Sequence, residues 1–407
     1  MTDSHRTRFW RRLAAPLLRR GGTPFYLFSS APVEEALAEL EGTFSGLPVT
    51  HWLSVKTQPL PPLIRWWSSL GRPVEVVSEL ELQAALACGV PPESILVNGP
   101  AKHHWLPAHP LPGLRVNFDS PAEARLLAPQ ARRCGWLCGV RVATPSEFDP
   151  ESPAIPTQFG LSGEELGAVI RTLRRAGIRP RTLHFHLRTQ IPAVAVYQRA
   201  VAEALAMARA SGLSPEVLDI GGGFPAPRVR RSGDPTPVDA GFSRAGMRRL
   251  LQETLRAHPG LREIWLENGR WISARSGVLV LRILDAKQRR GMRHLICDGG
   301  RTLHAMVSTW EDHDLEPLPT RSGRRVATTV TGPTCMAFDK LARRPLPSTL
   351  QPGDALLWMD AGAYHLPWET RFSHGLAAVH WHDGRKVHQV RSAETFQSWW
   401  HQWAPAP

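Results

Sequence analysis

The feature that most constrains this chain is a repeat of strand then helix, spaced about 20–35 residues apart, from Thr23 to about Glu267. FYLF (25–28), HWLSV (51–55), VEVV (74–77), SILVNG (94–99) and LRVNFDS (114–120) are short apolar runs of strand character. WLCGVRVA (136–143), TLHFHL (182–187), VLDIGGGF (217–224) and EIWLENG (263–269) continue the series. Amphipathic helical stretches separate them, among them 61–71, stopped by Gly71, and 78–89, with Ser78 as N-cap and Glu81 completing a capping box. A strand that repeatedly returns through a helix forms a parallel sheet. About eight such units in about 250 residues favour a closed (β/α)8 TIM-like barrel over an open doubly wound sheet.

After residue 275 the texture changes. SGVLVLRILDAK, HLICDGG, VATTVTGPTC, DALLWMDAG and AAVHWHDGRKVHQV are short β-rich runs between turn residues. They predict an all-β C-terminal domain of Greek-key or β-barrel type. The expected organisation is therefore α/β: a basic N-terminal helix (1–22), the barrel (23–274), the β domain (275–392) and a Trp-rich tail (393–407).

Composition narrows the function classes. The formal net charge is +13, spread along the chain in short arginine clusters. No zinc-finger spacing and no basic-aromatic sheet motif accompanies it, which argues against nucleic acid. A basic face for an acidic carrier protein is the alternative use of that charge. No apolar run is long enough for a bilayer, and the N-terminus lacks a secretory core. Cys134 and Cys138 stand alone without a second ligand pair, so no metal is expected. The odd count of five cysteines fits a reducing, cytoplasmic setting.

In a parallel barrel, chemistry collects at the C-terminal ends of the strands. Lys56, Glu75, Arg141, His184, His186, Gly221, Gly222, Gly223 and Glu267 all fall there. Lysine is rare in this chain, with five in all, so its placement at a strand end carries information. A lysine amine condenses with an aldehyde. Three consecutive glycines let backbone N–H groups approach a phosphate. With a ring-stacking His and an acid facing a pyridine nitrogen, the set suits pyridoxal 5'-phosphate (PLP).

The ordered motifs resemble those of the fold-type III PLP-dependent decarboxylases, the group of diaminopimelate, ornithine and arginine decarboxylases, over about Thr23 to Gly375. TPFYLFS is similar to TPxYVYD, SVKTQP to AVKANP, HFHLRTQ to HxHxGSQ, LDIGGGFP to its glycine motif, ENGRW to EPGRY, TGPTC to VGPxC, and RFSHG, with Phe372, to TFNGF; DAGAY matches outright. The resemblance implies that Lys56 carries the cofactor, His186 stacks on its ring and Glu267 pairs with the ring nitrogen. It implies that Gly221 to Gly223, Gly269, Arg270, Thr189 and Tyr364 hold the phosphate. Cys335, from the partner subunit of a homodimer with shared sites, would return a proton after loss of CO₂. Asp339 and Asp360 lie in the same motifs. Catalysis is thus expected from Lys56, Cys335 and His186, with Glu75 and Arg141 as further cofactor contacts.

Three departures bear on the substrate. Arg188 replaces the motif glycine, and Asn268 replaces the proline of EPGR. Met336 follows the cysteine where relatives acting on diamino acids carry an acid, and methionine cannot pair with an ammonium. Arg188, Arg301, Met336, Asp339 and Phe372 are the expected substrate-side residues, and Arg188, Arg301 or Arg371 would meet an anionic or carrier-tethered amino acid. The competing readings are a racemase or epimerase on a similar barrel and a non-catalytic PLP-binding relative.

Overall fold

The structure is a computed structural model and describes residues 3–147, 156–304 and 307–404. The first two residues of the expected N-terminal helix and the last three of the Trp-rich tail lie outside them. The chain forms two compact units, one of Ala38–Ala226 with Val238–Trp271, the other of Met1–Leu37, Pro227–Pro237 and Ile272–Pro407.

The first unit is the barrel. Its parallel sheet runs from Val49–His51 through Glu263–Leu266, Val217–Asp219, Thr182–His184, Leu137–Arg141, Arg115–Phe118, Ile95–Val97 and Val74–Val76 to Leu53–Ser54. The two ends of that path are halves of one extended run broken at Trp52. The Trp52 N–H donates to the Leu266 carbonyl at 2.9 Å, and the Leu53 N–H donates to Pro73 at 3.2 Å on the other side. The sheet therefore closes on itself as eight strands. Serines start the outer helices: Ser78, as the sequence predicts, and also Ser120 and Ser162 accept from the N–H groups of Glu81, Glu123 and Glu165 respectively. At Ser78 the reciprocal bond shifts by one residue, because Glu81 accepts from Val77 N–H at 2.8 Å.

Period-two alternation along each strand stacks the interior in layers. At the floor, Trp52 and Trp265 lie 4.7 Å apart between ring centroids, packed with Leu96 and Val217. The Arg115 guanidinium sits 5.7 and 5.8 Å from these two rings. Two residues further along the same strands come Ser54, Asn98, Asn117, Asp219 and Glu267, all buried. A barrel interior is ordinarily filled by branched aliphatics; here its upper layer is polar.

The second unit is mostly sheet. Its strand path is Lys340–Pro347, Arg325–Thr331, Met292–Cys297, Gly277–Arg289, Phe25–Ser29, Ala378–His382 and Val387–Arg391, with Ala355–Trp358 and Leu315–Leu318 attached. This corrects one expectation. FYLF, read as the opening strand of the barrel series, pairs antiparallel with Gly277–Arg289 and parallel with Ala378–His382. All five residues of this strand are buried, so the run has no alternation to reveal which sheet it joins. Packing accordingly starts the barrel unit at Ala38 rather than 23 and ends it at Trp271, with Pro227–Pro237 grouped outside it.

The helix Asp3–Arg20 belongs to this second unit, where Trp10 and Ala14 pack on Phe25, Leu27, Val278 and Met359. Its Arg6 is 3% exposed and is paired with Asp360 and, at 3.1 Å, with Asp314. Arg230 reaches the same Asp314 at 2.9 Å, and Arg228 lies 4.0 Å from Asp360. Burial pushes the Asp314 carboxyl up, but the Arg230 and Arg6 guanidiniums outweigh it and hold it below the ordinary range. At the other end, Phe396, Trp400 and Trp403 of the tail are exposed. No helix among the described residues is long and apolar enough to cross a membrane.

Removing Arg6 leaves the buried Asp360 carboxylate only the more distant Arg228. Arg6→Gln is expected to lower the stability of this unit by about 3–5 kcal/mol, read from the urea midpoint. Arg6→Lys should restore part of it. An unchanged midpoint would show that the pair contributes nothing net.

Candidate active site

Lys56 lies in the short turn Val55–Thr57 that follows the broken strand. Its Nζ is 2.7 Å from Glu75 Oε2 and 3.0 Å from Ser54 Oγ, and its side chain is 30% exposed while that of Glu75 is 1% exposed. The amine thus stands at the mouth with its counter-charge beneath it. Ser54 also donates to Glu75. From this point hydrogen bonds run across the interior. Asn98 Nδ2 donates to Glu267 Oε1 at 2.6 Å and lies 3.4 Å from Glu75, and Asn117 Nδ2 donates to Asn98 Oδ1 at 3.0 Å. Asn117 has room because position 139 is glycine; a Cβ there would collide with the Asn117 and Thr182 side chains.

Glu267 is buried beside Asp219. Burial drives both upward; Asp219 and Glu75 push Glu267 further, well above the usual carboxylate range, whereas the Gly221 N–H and Glu267 hold Asp219 back in part. Asp219 also accepts the Gly221 N–H at 3.0 Å. His184 and His186 flank Glu267, at 3.7 Å from one carboxylate oxygen and 3.9 Å from the other. Burial and then the Arg141 charge hold both imidazoles neutral, pushing His186 down to about 3. His186 Nδ1 accepts the Gly222 N–H at 3.2 Å, which fixes its ring.

Gly221 has φ +63°, and a Cβ there would lie 2.5 Å from His186 Nδ1. Any side chain would fill the space between the glycine turn and that ring. Tyr197, unnoticed in the sequence, props the turn from below by donating to the Gly222 carbonyl at 2.9 Å. Arg270 Nε donates to Thr189 Oγ1 at 2.9 Å, so these two expected residues meet, and Gly269 packs on Ser54 and Thr57. Arg141 is bound to Glu147 at 3.1 Å and lies over Phe159, 4.5 Å from its centroid. Arg188 is half-buried, and its charge reaches the buried Tyr197 phenol.

The remaining expected residues belong to the second unit. Cys335 is exposed, Met336 is half-buried, and Phe372 is 45% exposed. Asp339 is buried, accepting from Arg301 N–H at 2.6 Å and from the Thr334 hydroxyl at 2.6 Å. Its carboxylate anchors the TGPTC turn. The Arg301 guanidinium sits 5.7 Å from the Phe338 centroid, Arg371 is bound to Glu394 at 2.8 Å, and Tyr364 stacks on Trp368.

Asn98, Asn117 and Asp219 were the residues that sequence reading missed. Each lies two positions beyond an inward floor residue (Leu96, Arg115, Val217), and that spacing was the available signal. Metal was not expected. Among the described residues one trio, His184, His186 and Glu267, has its potential ligand atoms within 4.8 Å of one another.

An amine, a neutral imidazole face, a buried acid and a glycine turn on one barrel rim define a carbonyl-cofactor enzyme of barrel type. The chain matches the family model "Pyridoxal-dependent decarboxylase, pyridoxal binding domain" over residues 31–274, and it belongs to that family. It is 31% identical over 377 residues to the diaminopimelate decarboxylase of Actinosynnema pretiosum subsp. auranticum, covering 86% of this chain and 82% of that one. It is 26% identical over 363 residues to the lysine/ornithine decarboxylase of Selenomonas ruminantium, covering 88% of each. The fold superposes on the crystal structure of Helicobacter pylori diaminopimelate decarboxylase with L-lysine at a TM-score of 0.82 and 20% identity, covering 96% of this chain and 98% of that one. The cofactor is PLP, and the residues present fit it. The glycine turn is a cradle that a Cβ would fill. Both ring nitrogens of buried His184 lack a hydrogen-bond partner among the described residues, and the donor set matches an aldehyde, an aromatic ring and a basic nitrogen.

The depressed His186 gives a pH prediction. The unfolded chain protonates this histidine near about 6.5, whereas the folded site resists until about 3. Its contribution to stability is therefore complete above the unfolded value and is lost as pH falls toward the folded one. In cofactor-free protein an NMR titration should show the His186 ring neutral through about pH 6. A midpoint at the ordinary value would overturn the picture of a desolvated ring.

Proposed function

We propose that the enzyme decarboxylates an amino acid whose side chain ends in an anionic or uncharged group rather than in an ammonium. The observation that carries the decarboxylase reading is the Lys56 amine at the mouth, held on Glu75, with Glu267 buried behind it. When bound, PLP serves as the electron sink for the pair left by departing CO₂. Every other task falls to the chain. Glu75 and Ser54 hold the Lys56 amine, which would carry the cofactor through its aldehyde. His186, neutral and fixed by Gly222, would support the cofactor ring. Glu267 would partner the ring nitrogen.

The glycine turn, Gly269, Arg270 and Thr189 would offer donors to a phosphate, and the likeness of DAGAY to the family motif supports Tyr364 in the same task. The likeness of TGPTC to VGPxC supports Cys335, supplied by the partner subunit of a homodimer, as the acid that would protonate Cα after loss of CO₂. Glu75 holds Lys56, and Arg141 braces the site through Glu147.

The substrate class rests on this chain's departures. The relatives are named for diaminopimelate and for lysine or ornithine. Met336 offers no partner for a distal ammonium, whereas Arg301 and Arg188 would favour a carboxylate or a polar amide. The charge of +13 would also suit an acidic carrier presenting a tethered amino acid.

Purified enzyme loaded with PLP should show the long-wavelength absorption of a lysine-bound cofactor, and Lys56→Ala should lose it. CO₂ release should be faster with acidic or amide amino acids, free or carrier-linked, than with ornithine, lysine or diaminopimelate. Efficient turnover of diaminopimelate would overturn the substrate reading while leaving the decarboxylase reading intact. No CO₂ from any amino acid would overturn both.

A further inference from the structure

The DAGAY turn (360–364) follows the strand Ala355–Trp358 and carries Tyr364 at its end. Two of its residues, Asp360 (φ +56°) and Tyr364 (φ +66°), adopt the left-handed conformation, which residues with a Cβ resist. Such a turn keeps its shape only where the surroundings hold it. Its middle is held by backbone. The Ala361 N–H donates to the Gly277 carbonyl at 2.8 Å, and the Gly362 N–H donates to the Ala274 carbonyl at 2.9 Å. A Cβ at position 362 would collide with the Ser273 carbonyl oxygen, so the turn rests directly on the end of the helix Gly269–Ser273. The far end is held by His365. Its Nε2 accepts from Trp358 Nε1 at 3.3 Å, and its Nδ1 donates to the Ala363 carbonyl at 3.0 Å.

The near end depends on charge. Asp360 is buried, and the Arg6 guanidinium donates to one of its oxygens while the other lies 4.0 Å from Arg228. Arg6 is itself fixed. Its second terminal nitrogen donates to Asp314 at 3.1 Å, and its helix is packed through Trp10 and Ala14. That helix, Asp3–Arg20, precedes the residues matched by the family model, which begin at 31. The ion pair therefore reaches the motif from outside the matched part of the chain.

We propose that Arg6 is a positioning residue for the cofactor phosphate: through Asp360 it fixes the turn that presents Tyr364. This rests on the PLP reading above, in which Tyr364 serves the phosphate, and deepens it by giving the N-terminal helix a part in cofactor binding. A brace that acts on stability alone changes the affinity of the folded site for every cofactor-like ligand alike, or for none. A brace that acts through Tyr364 changes it only for ligands that carry a phosphate. The two roles are separable by the choice of ligand.

The test compares PLP with pyridoxal, which has the same ring and aldehyde but no phosphate. Dissociation constants are measured on the cofactor-free full chain by absorption titration, at a temperature where each variant is folded. Arg6→Gln should weaken PLP by about tenfold and leave pyridoxal unchanged, and Tyr364→Phe should do the same. In the double variant the two losses should not add, because both remove one contact. Arg6→Lys, which keeps the charge, should recover part of the PLP affinity.

Equal weakening of both ligands, no weakening of PLP, or losses that add in the double variant would each overturn the proposal. Should Arg6→Gln fail to fold, Arg6→Gln combined with Asp360→Asn removes the attraction without leaving a lone buried charge, and the same comparison of ligands decides. If the wild type does not bind PLP, it is the cofactor reading that fails, and the role of Arg6 falls with it.

Discussion

The site depends on one constraint: a carboxyl group kept out of water at the centre of a barrel. Desolvation disfavours the charged form of a buried acid by up to several pKa units unless something pairs with it. This fold surrounds Glu267 with a neutral amide (Asn98), two neutral imidazoles and a second acid, and the Lys56 charge acts on it only at longer range, from its place on Glu75. A guanidinium at the same place would fix a carboxylate permanently. Amide and imidazole neighbours leave the proton free to move, which a partner for a basic ring nitrogen requires.

That arrangement explains the barrel's unusual filling. The floor keeps ordinary large side chains, Trp52, Trp265 and Leu96, and admits Arg115 as a cation beside the two indoles. One layer higher the same strands turn polar. Each of those polar atoms needs a partner, since a buried unsatisfied donor or acceptor costs about 1–3 kcal/mol. The chain Asn117–Asn98–Glu267 meets that need in part, and Gly139 makes the room for Asn117. The two nitrogens of His184 are left over, and they lie beside the acid that the cofactor approaches.

Much of this was legible in the sequence, for identifiable reasons. Lys56, Glu75, His186, the glycine turn and Glu267 sit at strand ends, and strand ends are found from apolar runs and turn residues alone. Asn98, Asn117 and Asp219 lie within the same strands. Their meaning depends on which neighbour each strand pairs with and in what register, and no local pattern fixes that. Asp219 is hidden by its setting too, because the three glycines beside it draw the eye to phosphate binding. FYLF failed for a different reason. A strand buried on both faces reads the same in a barrel wall and in a covered sheet, so only long-range pairing with Gly277–Arg289 and Ala378–His382 settles it.

The departures from the family pattern follow the same division. Glu267, Lys56 and the three glycines themselves keep the family's residues, although Asn268 and Arg188 depart from it within the same motifs. The changes expected to bear on the substrate are Arg188 and Met336. A site that had lost its activity would be expected to drift at both places, since a buried acid held beside another acid is costly to keep once no cofactor uses it. Retention of that costly pair argues for a working decarboxylase rather than for a relic of one.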